Sequence, residues 1–160
     1  AMKAYDKVGG AASQLARIAP KNPLGYELLG QLAEQSKDAP SAARFFGEAY
    51  QRSQDPMHLF ARARALGQAG DLREAAKALQ QVIDAAPGIF SAYIEMGRVL
   101  EGMGDRERAR SAYMTLASAE GTPERPLPPE LEQAKKAALA ALTRLDAAPE
   151  GDAPPPKTKK

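Results

Sequence analysis

The sequence predicts an all-α protein made of stacked helical hairpins. Helix-forming alanine occurs 33 times, whereas the β-branched residues Val, Ile and Thr together occur 11 times. Segments 56–89 and 90–123 also carry one pattern twice, with a period of 34 residues. The matching pairs are Gly70 with Gly104, Asp71 with Asp105, Ala75 with Ala109, and Leu79 with Tyr113. A period of this length is typical of hairpins that are each too small to bury their own apolar face.

Capping and breaking residues predict where each helix begins and ends. Asn22-Pro23 and Asp55-Pro56 place a capping side chain before a proline in the first turn. Aspartates are expected to cap further helices, and glycines to end the helices before two of these caps; the caps are Asp38, Asp71 and Asp105, and the glycines Gly70 and Gly104. The predicted helices span about 23–36, 39–53, 57–69, 72–86, 90–103 and 106–119.

These hairpins resemble the tetratricopeptide repeat over residues 23–122. The second repeat carries the signature residues Leu59, Ala63, Leu66, Gly70, Asp71, Ala75, Leu79 and Pro87. The third carries Tyr93, Met96, Gly97, Leu100, Gly104, Asp105, Ala109 and Tyr113. The first carries Tyr26, Leu29, Gly30, Ala33, Ala42, Phe46 and Ala49, but has Ser36-Lys37-Asp38 in place of Gly-Asp. The resemblance implies a right-handed α-α superhelix with a concave groove lined by the first helix of each hairpin.

Three segments flank the repeats. Residues 3–19 predict an N-terminal helix, either a cap or the second half of a further repeat in a longer array. Residues 127–147 predict a C-terminal capping helix, because Leu131, Ala138 and Leu142 lie on one apolar stripe. Residues 148–160 contain proline and lysine but no core-forming residue, and predict a disordered tail.

Charge and composition exclude several classes of protein. The formal net charge is only +2, so no nucleic-acid partner is expected. The absence of cysteine excludes disulfides and thiolate metal sites. No apolar run is long enough to span a membrane. A cytoplasmic location is favoured, and a periplasmic one stays open if a signal peptide has been removed.

The sequence gives no support for catalysis. The only histidine, His58, lies in the first turn of a predicted helix and is interpreted as a surface or packing residue. The glycines form no phosphate-binding motif, and no ligand cluster has metal-binding spacing. We therefore expect no enzyme activity, no cofactor and no metal.

The resemblance assigns a set of first-helix residues to the groove. Arg64 and Arg98 occupy equivalent places and are expected to stack one repeat apart, where they suit a partner with acidic and apolar side chains. The alternative is that both are solvated or paired with Glu95 and Glu101. The predicted groove residues are Leu24, Glu27, Leu28, Gln31, Met57, Phe60, Arg64, Ile94, Glu95 and Arg98.

Two departures from the family pattern refine this prediction. Family members that bind chaperone C-terminal tails hold the terminal carboxylate with Lys and Asn side chains. Here those places carry Glu27, Gln31, Ala61, Ser91 and Glu95, so chaperone tails are not expected as partners. Arg62 stands where the repeat has Leu, so its stem should pack while its charge reaches Asp55, Glu48 or water.

The sequence thus favours a non-catalytic adaptor that binds a peptide or helix of another protein in its groove. Two alternatives stay open. The chain can be the docking or regulatory appendage of a larger enzyme or signalling protein, or it can self-associate into a homo-oligomer through exposed apolar groove residues.

Overall fold

The computed structural model describes residues 2–147, with side chains from residue 8 onwards, as eight helices and no strand. They are α1 Met2–Ile18, α2 Leu24–Gln35, α3 Ala39–Ser53, α4 Pro56–Ala69, α5 Leu72–Ala85, α6 Phe90–Gly102, α7 Arg106–Ala117 and α8 Pro129–Ala147. The chain divides into two compact units, Ala1–Ala85 with α1–α5 and Ala86–Lys160 with α6–α8. The all-α prediction is confirmed, and the predicted tail 148–160 lies outside the described residues.

The capping residues account for the helix starts. Asn22 Oδ1 accepts a hydrogen bond from the Leu24 amide at 2.9 Å. Asp71 contributes its backbone carbonyl, which accepts from the Ala75 amide at 3.0 Å. The other predicted aspartate caps accept through a side-chain oxygen: Asp38 from Ser41 N at 3.2 Å, Asp55 from Met57 N at 2.8 Å, and Asp105 from Arg108 N at 3.1 Å.

All three hairpins have a left-handed residue between their two helices. Gly70 and Gly104 have φ angles of 86° and 79°, as their positions before a cap predicted. Lys37 takes the same place in the first hairpin with a φ of 59°. The first hairpin therefore keeps the left-handed turn without the glycine that normally adopts it free of backbone strain.

The first unit packs its helices in sequence order around small residues. A Cβ at Gly25 would lie 2.7 Å from the backbone nitrogen of Ala16, so this glycine lets α1 and α2 approach closely. A Cβ at Gly30 would lie 2.8 Å from the Phe46 ring. Between α4 and α5, Ala63 and Leu79 are fully buried. Each hairpin thus sets a small residue on its first helix and a large one on its second.

The second unit repeats this packing and adds a further helix. A Cβ at Gly97 would overlap the Tyr113 ring, so the ring lies directly on the α6 backbone. Helix α8 packs against both α6 and α7. Its buried residues are Ala138, Ala141, Leu142 and Leu145.

The aliphatic stem of Arg62 packs as predicted. A Cβ added at Gly47 would lie 3.4 Å from Arg62 Cδ, so the stem of Arg62 packs against α3 at this glycine. The pKa of Glu74 on α5 is lowered, chiefly by a hydrogen bond from Lys77 and also by the positive charge of Arg62. The Arg62 charge thus adds to that of Lys77 near Glu74, and its approach to Asp55, Glu48 or water stays a prediction.

Candidate partner-binding surface

The first helices of the two hairpins in unit one present most of the predicted groove residues. Leu24 on α2 and Met57 on α4 occupy equivalent places 33 residues apart. Both are exposed, at 45% and 53%. Gln31 is also exposed, whereas Glu27 and Leu28 are half-buried.

A histidine joins three helices at one end of this surface. His58 Nε2 lies 3.3 Å from Glu27 Oε2 on α2, and His58 Nδ1 lies 2.7 Å from Ser53 Oγ at the end of α3. Ser53 Oγ also accepts from the Asp55 amide at 3.0 Å. Gln31 Nε2 donates to the other Glu27 oxygen at 3.0 Å. The imidazole therefore holds α2, α3 and α4 together, and both of its nitrogens have a partner.

An ion pair joins α2 and α4 at the other end. Arg64 donates to Glu34 Oε1 at 3.2 Å, and its side chain is 40% exposed. The sequence prediction did not include Glu34. The available signal was its position seven residues, or two helical turns, after Glu27 on the same face of the helix. We call the surface formed by Leu24, Glu27, Gln31 and Glu34 with Met57, His58 and Arg64 the α2–α4 surface.

Two predicted apolar groove residues are buried instead. Phe60 in the first unit is 7% exposed, and Ile94 in the second is 9% exposed. Their place in the repeat borders both the groove and the core, and packing among the helices takes their large side chains inward. They support the surface and offer little area to a partner.

In the second unit, Arg98 takes the alternative that the sequence left open. It donates to Glu95 Oε1 at 2.7 Å, three residues earlier on the same helix, and is 60% exposed. Exposed pairs at this spacing contribute little to stability. Arg64 and Arg98 belong to different units, so their stacking stays a prediction.

A second polar cluster lies where α6, α7 and α8 meet. Tyr113 donates its hydroxyl hydrogen to Glu101 Oε1 at 2.6 Å, and Arg144 of α8 donates to the same oxygen at 2.6 Å. The pKa of Tyr113 is raised strongly, first by burial and then by the hydrogen bond to the Glu101 carboxylate. This cluster ties α8 to the third hairpin.

Two searches of the described residues bear on other kinds of site. Residues 2–147 contain no group of three or more His, Cys, Asp or Glu side chains placed to bind a metal ion. None of the helices in this part of the chain has both the length and the apolar character needed to cross a membrane.

Comparison with known proteins agrees with the hairpin architecture. Residues 59–89 and 90–122 each match the tetratricopeptide repeat family model. Residues 59–122 therefore carry two tetratricopeptide repeats, as the sequence predicted for its second and third hairpins. No curated protein sequence matches it significantly.

Several solved structures share the fold. A crystal structure of MamA aligns with a TM-score of 0.68 at 17% identity, covering 90% of this chain and 92% of that one. A second MamA structure has a TM-score of 0.64 at 17% identity and covers 69% of this chain, which spans only 61% of that one. The Sgt2 TPR domain from Aspergillus fumigatus has a TM-score of 0.58 at 18% identity, with coverages of 84% and 88%. At these identities the similarity concerns the fold.

Proposed function

We propose that this protein is a non-catalytic interaction scaffold, and that its α2–α4 surface binds a peptide or helix of another protein. The observation that carries the proposal is the exposure of Leu24 and Met57 at equivalent places on two first helices. Both apolar side chains lie at the end of the surface where His58 bridges to Glu27, and the Arg64–Glu34 bridge lies at the other end. An apolar area beside fixed polar groups is the usual composition of a protein-binding site.

The two bridges keep this surface ready for a partner. His58 and Arg64 already join α2 to α4 in the free protein, so a ligand does not have to order these helices on binding. A guanidinium carries five N–H donors, and the single contact to Glu34 leaves others for a partner carboxylate. A segment with one apolar anchor and an acidic residue about two helical turns away fits these groups.

Peptide-display selection against the intact protein tests this proposal. Ligands selected on the wild type should lose affinity about tenfold or more when Met57→Glu replaces an apolar contact with a charge. Arg64→Glu should lower the affinity of acidic ligands most, because it replaces a positive charge with a negative one. Met114→Glu is a matched control, because Met114 is 47% exposed on α7 in the other unit.

The proposal fails if the selected ligands bind Met57→Glu and Arg64→Glu as tightly as the wild type. It also fails if Met114→Glu lowers their affinity as much as Met57→Glu does. Circular dichroism of each variant separates loss of binding from loss of fold.

A further inference from the structure

The polar groups of the α2–α4 surface follow its two exposed apolar residues at helical spacing. Glu27 lies three residues after Leu24, and Arg64 lies seven residues after Met57. The contacts between the two helices advance together along both of them, so α2 and α4 run in the same direction. Starting from the apolar pair, the surface therefore presents a carboxylate after about 4.5 Å and a guanidinium after about 10.5 Å, at the helical rise of about 1.5 Å per residue.

The two carboxylates of this surface differ in how their charge is balanced. Glu34 lies 3.2 Å from the permanent positive charge of Arg64. Glu27 instead contacts the imidazole of His58 at 3.3 Å and the side-chain amide of Gln31 at 3.0 Å. In the part of the chain whose side chains the structure describes, no lysine or arginine forms an ion pair with Glu27.

The negative charge of Glu27 is therefore available to a partner. Histidine side chains are mostly neutral above about pH 7, so His58 supplies a hydrogen bond without a full positive charge. The Glu27 side chain is 34% exposed, and its carboxylate can accept further hydrogen bonds. A lysine or arginine is the partner residue that complements it.

The spacing of these groups fits a helical ligand and does not fit an extended one. An extended segment rises about 3.3 Å per residue and turns alternate side chains to opposite faces. Contacts about 4.5 Å and 10.5 Å from an apolar anchor would fall near its first and third following residues, which face away when the anchor faces the surface. In an α-helix, residues three or four and seven positions from the anchor share its face.

We propose that the partner of the α2–α4 surface is an amphipathic helix with charges of both signs in a fixed order. Its apolar residue packs on Leu24 and Met57. A lysine or arginine three or four positions from that residue binds Glu27, and an aspartate or glutamate seven positions from it, on the same side, binds Arg64. This inference rests on the proposed function and adds to it the helical form of the ligand and its basic residue.

The order of the two charges is specific. A helix with the charges exchanged would place a carboxylate against Glu27 and a cation against Arg64, so both contacts would be repulsive. The order also holds for a partner helix that runs in either direction along the surface, because it is counted outward from the apolar anchor.

A phage-displayed library of helical peptides, selected against the intact protein, tests the pattern. Each peptide has one fixed leucine, and the other positions on the same face are randomised. Ligands whose binding depends on Met57, shown by loss of affinity for Met57→Glu, should carry Lys or Arg three or four positions from the leucine. The same ligands should carry Asp or Glu seven positions from the leucine on the same side.

A double-mutant cycle with the tightest of these peptides isolates the contact to Glu27. Glu27→Gln should lower the affinity about two- to fivefold, and so should replacing the basic residue of the peptide by glutamine. The two changes together should cost no more than either alone. Glu124→Gln removes an exposed carboxylate from the loop before α8 in the other unit and is the matched control, which should bind as the wild type does.

Charge reversal provides a second and more specific test. A new selection against Glu27→Lys should return ligands that keep the leucine but carry Asp or Glu in place of the basic residue. Circular dichroism of Glu27→Gln and Glu27→Lys shows that both variants keep their helices.

The outcomes separate this inference from the proposed function. Ligands that depend on Met57 but lack a basic residue at the stated place would overturn the inference and leave the proposed function standing, and so would equal affinities for Glu27→Gln and Glu124→Gln. A selection that yields no ligand sensitive to Met57→Glu would overturn both.

Discussion

The hairpins α2–α3 and α6–α7 pack an aromatic ring in the same way but surround its outer end differently. Phe46 lies against Gly30 in a core of Ala33, Ala42, Ala43 and Ala65. Tyr113 lies against Gly97, and its hydroxyl reaches Glu101, which also holds Arg144. The comparison shows that ring and glycine set the hairpin spacing, whereas the hydroxyl adds a polar link to the following helix.

Removing either ring should have the largest effect. Phe46→Ala and Tyr113→Ala should each lower the free energy of unfolding by about 3–5 kcal/mol, because each leaves a cavity between two helices. Urea denaturation followed by circular dichroism measures the loss. Met114→Ala, one residue after Tyr113 but 47% exposed, should change stability by no more than about 0.5 kcal/mol. Equal losses for Tyr113→Ala and Met114→Ala would contradict the packing role.

Replacing the two glycines that face the rings should have the next largest effect on stability. Gly30→Ala and Gly97→Ala should each cost about 1–3 kcal/mol, since the new Cβ lies too close to a buried ring, which must shift to admit it. Gly10→Ala is the control with the opposite sign. Apart from the neighbouring backbone of α1, no atom lies within 4 Å of a Cβ at Gly10, so alanine there should stabilise α1 by up to about 1 kcal/mol. A neutral Gly97→Ala would show that the third hairpin can relax.

Exchanging the two aromatic residues tests how much the hydroxyl contact to Glu101 contributes to stability. Tyr113→Phe should cost about 1 kcal/mol, the usual contribution of one hydrogen bond. Phe46→Tyr should be nearly neutral, because Glu34 stands in the first hairpin where Glu101 stands in the third. A cost above about 2 kcal/mol for Phe46→Tyr would mean that the new hydroxyl finds no acceptor. Thermal and urea unfolding of both variants provide the comparison.

The raised pKa of Tyr113 predicts a pH effect in the same cluster. The folded state favours the neutral phenol, so the contribution is fully present below the unfolded pKa of about 10 and is lost as pH rises above it. The stability advantage of the wild type over Tyr113→Phe should therefore be constant below about pH 9 and shrink as the pH rises above about 10. The other four tyrosines are common to both proteins and cancel. A constant difference would indicate that Tyr113 ionises as easily when folded.

The turn of the first hairpin should give the smallest effect. Lys37→Gly should raise stability by up to about 1 kcal/mol, because glycine takes a φ of 59° without strain. Gly70→Ala at the equivalent turn should have the opposite sign. Differential scanning calorimetry resolves both shifts, and a destabilised Lys37→Gly would show that the lysine side chain contributes more than its backbone costs.

Local chemistry explains which parts of this structure the sequence could predict. Caps, prolines and left-handed residues act within a few positions, so the observed helices begin and end within two residues of the prediction. The pairing of Arg98 with Glu95 is also local, at three residues, and was among the interpretations left open.

Contacts between distant residues could not be predicted in the same way. Glu34 and Arg64 are 30 residues apart, and His58 meets Glu27 across 31. Their approach depends on how α4 lies on α2. Phe60 and Ile94 were assigned to the groove from their register, but register alone does not determine how far a border side chain turns into the core.

In each hairpin the small residue of the first helix and the large residue of the second must fit each other in size, which limits the substitutions that both places accept. Gly97 and Tyr113 depend on each other in size, because a Cβ at Gly97 would overlap the Tyr113 ring. The Ala63–Leu79 pair fills the same place in the second hairpin with a slightly larger residue opposite a slightly smaller one. A combined Gly97→Ala and Tyr113→Leu change should therefore cost less than the sum of the two single changes, because each relieves the misfit that the other leaves.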